Sequence, residues 1–304
     1  MHRGMPRHGA RLLLALLAAA CGNGSDADGE SAAPLLVLGA FPAERAALVE
    51  CAAIESTMVI DGRVFRSGRL GGVPVVIGMT GIGLVNATAT TRLALDRFAV
   101  AGVVVSGVAG SSLRIADVAV PEAWTLAGGG TFAADAAWLE VAAAVAGRAP
   151  RLERCTSATV EGVARDVCFA HQPAIYVGGQ GRSSDPFAGA ALPCQPGAGE
   201  VFGCDTDSAG ALAAGAEPTF EPHGPNNTPA PPAAEDMESA AVAQEAAARG
   251  LPFIAFRAVS DGSGDPLALP GFPAQFFAYY PVAAENAAAA TEAFLAALGG
   301  NAGR

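Results

Sequence analysis

The chain has 304 residues, of which 51% are hydrophobic and 15% charged, and its formal net charge is −11. That length and apolar fraction sustain one large core or two small ones, and an aromatic content of only 6% means the core is built from small side chains at close spacings. The acidic balance excludes a polyanion such as DNA or RNA as partner, because basic side chains carry phosphate binding; solubility alone is enough to account for it.

Taken in chain order, Arg3, Arg7 and Arg11 form a basic leader before the apolar run Leu12–Ala20, which is too short to span a bilayer. The run ends in Ala18-Ala19-Ala20-Cys21. This is similar to a bacterial lipoprotein signal over residues 1–20, with Cys21 as the lipidated residue; a plain secretory signal is the competing reading. Residues 21–34 then read as a flexible tether, and membrane contact is expected only through Cys21. Without the leader the body has 15 basic against 29 acidic residues, a balance of −14. An oxidising compartment permits disulfides, and the close pairs are Cys155 with Cys168 and Cys194 with Cys204, with Cys51 left as a small apolar side chain. His2, His8, His171 and His223 are too scattered to make a ligand set, so no metal and no cofactor is expected.

Leu35–Ala40 is a short apolar run closed by glycine, which reads as a buried strand, and Pro42–Ala53 has helical composition. Val73–Met79 is a second strand ending in Thr80-Gly81-Ile82-Gly83, followed by a helix over Leu84–Phe98. Ala101–Ser106 is a third strand, ending in the turn Gly107-Val108-Ala109-Gly110. Strand, glycine turn and helix recur, which predicts a single three-layer α/β domain over residues 35–300, with a mixed, largely parallel sheet flanked by helices. Asp117–Pro121 and Arg165–Val177 read as further strands around a helix at Ala133–Ala146. From Gly178 to Pro232 the chain is rich in Gly, Pro, Asp and Ser without periodicity and reads as an irregular surface insertion. Asp236–Arg249 is a helix capped by Gly250, Pro252–Ser260 a buried strand, Asp261–Asp265 its exit loop, and Tyr280–Leu298 the closing helix.

Ligands of open α/β sheets gather at the carboxyl ends of strands. Glu44 follows the first strand, Gly81-Ile82-Gly83 the second and Val108-Ala109-Gly110 the third; Arg257, Ser260 and Asp261 end a late one, and Glu238 sits in the first turn of the preceding helix. Each has an ordinary reading alone: Glu44 as a solvated helix residue, Asp236 and Glu238 as acids favoured by the helix dipole, Asp261 as a turn former before glycine.

Together, Gly39-Ala40-Phe41-Pro42-Ala43-Glu44, Thr80-Gly81-Ile82-Gly83, Gly107-Val108-Ala109-Gly110, Asp236-Met237-Glu238 and Arg257-Ala258-Val259-Ser260-Asp261 stand in the order found in the purine nucleoside phosphorylase and methylthioadenosine/S-adenosylhomocysteine nucleosidase superfamily. The chain resembles that superfamily from about Leu35 to Leu298. Met237-Glu238 with Arg257-x-x-Ser260-Asp261 is the specific part. Tyr176–Gly181, the start of the Asp236 helix and Phe276–Tyr280 look closer to the exported and plant storage-protein-like branch. The resemblance implies Asp261 as general acid toward a purine and Glu44 as the base that activates water. It further implies Glu238 as acceptor for ribose hydroxyls, Met237 packed on the sugar, Ser260 and Arg257 beside the acid, and Val108, Ala109, Gly110 and Gly179 around the substrate. Phe272 and Phe276 are candidates for the wall around the 5′ substituent. Arg182 falls where cytoplasmic nucleosidases often carry a base-stacking Phe, and Phe187 is the residue that would take its place. Homo-oligomers are also implied.

The chemistry stands beside the resemblance. Cleaving an N-glycosidic bond leaves a cationic sugar and a poorly departing base, so one carboxyl must donate a proton and another must stay ionised. The expected partner is a small nucleoside, and the expected reaction its hydrolysis. A phosphorylase of the same fold is the alternative, with Arg92 and Arg114 the arginines nearest the glycine segments. A binding or storage protein without turnover is the third reading.

Overall fold

A computed structural model describes residues 33–160, 162–205 and 233–302. The predicted lipid-attachment residue Cys21 and the signal and tether preceding Ala33 lie outside the described residues. The chain runs as β1 (Leu35–Gly39), α1 (Pro42–Glu50), β2 (Ala53–Ile60), β3 (Arg63–Leu70), β4 (Val73–Met79), α2 (Leu84–Arg97), β5 (Gly102–Arg114), β6 (Val118–Val120), β7 (Ala123–Leu126) and β8 (Thr131–Ala133). It continues as α3 (Ala136–Gly147), β9 (Cys155–Val160), β10 (Val163–Cys168), β11 (Ile175–Val177), β12 (Gln180–Ser183), α4 (Gly199–Phe202), β13 (Ala234–Asp236), α5 (Ser239–Ala247), β14 (Phe253–Ser263) and α6 (Gly271–Ala302).

Strand β1 is apolar along its whole length because it is covered on both faces: it pairs in parallel with β4 on one side and β5 on the other. Strand β14 lies parallel to β5 along most of its length, and the main sheet continues from β5 through β13, β12 and β7 to β8. The sheet is mixed, since β2, β3 and β4 form an antiparallel meander and β13 runs antiparallel to β5. One face is covered by α1, α3 and α6, with Leu48, Trp138 and Phe294 in the core beneath them. The other is covered by α2 and α5 through Ala87, Ala94, Ala240 and Ala243, small residues that let helix and sheet approach closely. This is the three-layer α/β architecture that the strand and helix pattern predicts.

Several boundaries differ from the sequence reading. Gly107–Gly110 is no turn: β5 continues through it to Arg114, because β14 and β13 keep pairing alongside. The predicted strand Arg165–Val177 is two, β10 and β11, interrupted where Phe169 turns into the core against Tyr279 at 5.6 Å. The first of these pairs with β9 in a separate two-stranded sheet, closed by the Cys155–Cys168 disulfide. Helix α5 starts at Ser239, so Asp236 ends a strand instead of opening a helix. The predicted insertion 178–232 is partly core: Gln180–Ser183 is strand β12, parallel to both β13 and β7, with Ser183 fully buried. The β2–β3 hairpin carries little apolar alternation in β2, whose outer strand is exposed, and no sequence signal announced it.

Candidate active site

A cavity of about 550 Å³ opens where β1, β5, β13 and β14 end. Its lining combines apolar Phe41, Ile82, Val108, Ala109, Val201, Met237, Phe272 and Phe276 with polar Glu44, Ser111, Ser184, Glu235, Asp236, Glu238, Ser260 and Asp261.

Glu44 enters from the first turn of α1, where Pro42 presets the helical φ. Its carboxylate turns back to accept from the Ala40 N–H and, at 2.7 Å, from the Val108 N–H. The side chain is buried, and the burial raises its pKa against the opposing pull of Arg257 and the two N–H groups. Glu238, at the N-cap of α5, accepts from the Gly83 N–H at 2.9 Å and from Arg257 Nη2 at 2.9 Å. Burial pushes this carboxyl up to about 7, with Arg257 lowering it and the nearby Asp236 and Glu44 charges raising it.

Arg257 ties these acids together. It is 0% exposed, on the β14 register opposite Gly107. Asp236 Oδ2 lies 2.7 Å from both its Nε and Nη2, the Ser239 hydroxyl is 3.0 Å from Nε, and Nη1 is 3.5 Å from Glu44. Asp236 is itself held by Ser183 Oγ and by the Glu238 and Ser239 N–H groups at 3.2 Å. Three carboxylates that line the cavity thus converge on one fully buried guanidinium. The glycines of β5 make room for this: a Cβ at Gly107 would lie 2.3 Å from both Arg257 Nη1 and Glu44 Oε1. What reads in sequence as a turn signal is instead a missing side chain.

Asp261 stands apart from the cluster. Ser260 Oγ donates to its Oδ1 at 2.8 Å, and its Oδ2 sits 2.7 Å from where a Cβ on Gly110 would be. The loop beyond is tied back to α6, since the Gly262 N–H donates to Gln275 at 3.0 Å and Gln275 Nε2 to Asp265 at 3.2 Å.

Of the residues singled out from sequence, Asp261, Glu44, Glu238, Met237, Ser260, Val108, Ala109, Gly110 and Phe272 line the cavity. Arg257 is not part of the lining and contacts Glu44, Asp236 and Glu238. Gly179 lies off the lining: at φ +77° it forms the turn into β12, and its carbonyl accepts from the Glu122 N–H at 2.9 Å. Phe187 packs against Gly83 and is likewise no part of the lining. Arg92 is engaged by Glu245 at 2.7 Å and Arg114 by Asp117 at 3.6 Å, both away from the cavity. Asp236, Glu235, Ser183 and Val201 were not foreseen as site residues. Adjacency to Met237-Glu238 was the available signal for the first two; Val201 had none, because it comes from the aperiodic insertion.

Val201 reaches the cavity because its segment is pinned at several points. The Cys194–Cys204 disulfide closes it, Asp205 takes a bidentate ion pair from Arg66 at 2.8 and 2.7 Å, and Tyr280 donates to Glu200 at 2.9 Å. Phe41 and Phe272 meet the ring of Phe276 at 6.0 Å each, completing an aromatic wall.

A carboxylate cluster beneath a strand-end cavity in a mixed α/β sandwich defines a class, and the family comparison agrees with it. The phosphorylase superfamily model matches residues 34–296, and the chain belongs to that superfamily. An uncharacterised protein of Mycobacterium tuberculosis is 41% identical over 183 residues, 55% of this chain and 74% of its own length. The 5′-methylthioadenosine/S-adenosylhomocysteine nucleosidase of Shewanella denitrificans is 38% identical over 87 residues, 28% of this chain and 38% of that enzyme. Among solved structures, the same nucleosidase from Neisseria meningitidis, in complex with methylthio-immucillin-A, has a TM-score of 0.56 at 22% identity, over 86% of this chain and 97% of its own. Futalosine hydrolase of Helicobacter pylori has a TM-score of 0.57 at 18% identity, over 86% and 97%. At these identities the structural likeness establishes the fold.

Proposed function

We propose that the protein is a nucleosidase that hydrolyses the N-glycosidic bond of a purine nucleoside or 5′-thionucleoside. The observation that carries this reading is the placement of Glu44, Glu238 and Asp261 around one cavity, with the first two buried on Arg257 and the third apart from them. Asp261 protonates the departing base, most simply at N7, while Ser260 fixes the orientation of its carboxyl. Glu238 has one oxygen engaged by Gly83 and the other by Arg257, and its remaining lone pairs accept from the ribose hydroxyls as the sugar flattens. Glu44 takes the proton of the attacking water; burial makes it a stronger base than a solvated glutamate. The aromatic wall suits an apolar 5′ group.

Water is favoured over phosphate as nucleophile. Among the described residues no lysine or arginine lines the cavity, and a phosphate dianion entering it would meet carboxylates. The test is to incubate the purified protein with adenosine, inosine and methylthioadenosine, with and without phosphate, and to measure free base. Phosphate-independent release is expected; strict phosphate dependence would reassign it as a phosphorylase, and nucleoside binding without release would leave a binding protein. We also propose export through residues 1–20 with lipid attachment at Cys21, supported by the leader pattern. Labelled palmitate should enter the wild-type chain and not Cys21→Ser; equal labelling of both would end that part of the reading.

A further inference from the structure

The segment that carries Asp261 leaves the regular ladder before β14 ends. Register with β5 shifts on both sides of this residue: one residue, Gly262, separates Asp261 from Ser263, whereas three separate their partners Gly110 and Arg114. The Gly262 N–H goes to a side chain, donating to Gln275 Oε1 of α6 at 3.0 Å. A Cβ at Gly262 would lie 2.6 Å from the Leu113 carbonyl oxygen, so this glycine is pressed against β5. The same Gln275 amide donates through Nε2 to Asp265 at 3.2 Å and to the Leu269 carbonyl at 3.5 Å. Asp265 in turn accepts from the Leu267 and Leu269 N–H groups at 2.8 and 2.6 Å and from the Tyr279 hydroxyl. Gln275 is 7% exposed and stands in sequence between Phe272 and Phe276, which line the cavity, but is not itself part of the lining.

From this connection we infer that Gln275 is a positioning residue for the acid: it holds the peptide between Asp261 and Gly262 and thereby aims the Asp261 carboxyl. The inference rests on the nucleoside reading of the cavity. The carboxyl is bracketed along the chain, with Ser260 Oγ donating to its Oδ1 at 2.8 Å before it and the Gln275 bond at Gly262 after it. Where a ladder is irregular, strand pairing alone no longer fixes the direction of a side chain, and contacts from outside the sheet do so. A primary amide suits the place because it accepts at one atom and donates at the next. Methionine, of similar length, does neither. A general acid must stay within hydrogen-bond reach of the nitrogen it protonates, and displacement by about 1 Å is enough to degrade that contact. Gln275, absent from the lining, acts through Asp261.

Base binding reads the aim of Asp261 without turnover. Adenine and 7-deazaadenine differ at one position, a nitrogen against a C–H, so the ratio of their affinities reports the hydrogen bond between N7 and Asp261. Both would be titrated calorimetrically into the wild type, Gln275→Met, Asp261→Ala, the double variant and Tyr279→Phe, with circular dichroism checking each fold and Gln275→Ala replacing Gln275→Met if the latter does not fold. The wild type should bind adenine about tenfold or more tighter, the effect of one hydrogen bond to a charged group. Gln275→Met and Asp261→Ala should each bring that ratio to within about threefold, and combining them should add nothing, because one acts through the other. Tyr279→Phe removes another tie of the same loop and should leave the ratio within about twofold of wild type. An unchanged ratio in Gln275→Met, a further fall in the double variant, or a collapse in Tyr279→Phe would overturn the assignment. No preference in the wild type, or no base binding, would overturn it too, and base release by that same protein would leave the hydrolytic reading standing. A ratio that depends on Gln275 without base release from any nucleoside would instead sink the hydrolytic reading and leave the assignment in place.

Discussion

The two polar regions of the cavity are held in opposite ways. In one, Glu44, Asp236, Glu238 and Arg257 are each at most 7% exposed and tied to one another, to backbone N–H groups and to two serines. In the other region Asp261 and Glu235 are partly exposed, with Ser260 donating to the first and Arg182 to the second. A buried ion cluster binds stability and function into one quantity, since no member can leave without stranding a buried charge. A partly exposed carboxylate leaves less charge stranded when it is replaced, so its chemistry separates more readily from the fold.

The sharpest way to break that contrast is Arg257→Met. It strands three buried carboxylates and should cost about 3–5 kcal/mol or prevent folding outright. Denaturant unfolding reads the loss; a change below about 1 kcal/mol would show that the cluster is not the stabilising unit described. In the other region, Asp261→Asn should lower kcat by about 10²–10⁴, the range for loss of a general acid, with an unfolding midpoint close to wild type. Wild-type-like turnover would remove Asp261 from its assigned role, and a large loss of stability would erase the difference between the two sides.

Smaller effects sharpen the comparison. Replacing Cys194 and Cys204 by serine opens a loop with a sequence separation of 10, which chain entropy makes worth about 2–3 kcal/mol. Because that loop delivers Val201 to the wall, KM for an apolar 5′ substituent should rise more than KM for adenosine; equal changes would mean that the segment does not shape the pocket.

The last effect is a pH slope. The folded chain holds Glu238 at about 7 against an ordinary value of 4.5. Between those values the folded form keeps a proton that the unfolded form has lost, so stability falls as pH rises through that window. Glu238→Gln has no such proton to lose and should flatten the slope in urea titrations between pH 5 and pH 7.

Much of this was legible along the chain. The buried strands announced themselves as apolar runs, because a strand covered on both faces needs no alternation, and Glu44, Glu238 and Asp261 stood at strand and helix ends. Asp236 was misjudged because an acid at a helix start has an ordinary dipole explanation, whereas its real partner, Arg257, is 21 residues away. Gly107 was misjudged because a turn and a vacancy for two converging side chains have the same sequence signature.

What the sequence alone determined was therefore local: the layering of strands and helices, the positions at which carboxylates could meet a ligand, and the resemblance that orders them. Tertiary structure decided which acids share Arg257, that Asp261 stands apart from them, and that an aperiodic insertion supplies both strand β12 and the Val201 wall. The physical reason is range. Burial patterns and turn chemistry are written in neighbouring residues, while shared charge, cross-strand rows and cavity walls depend on partners brought together only when the sheet closes.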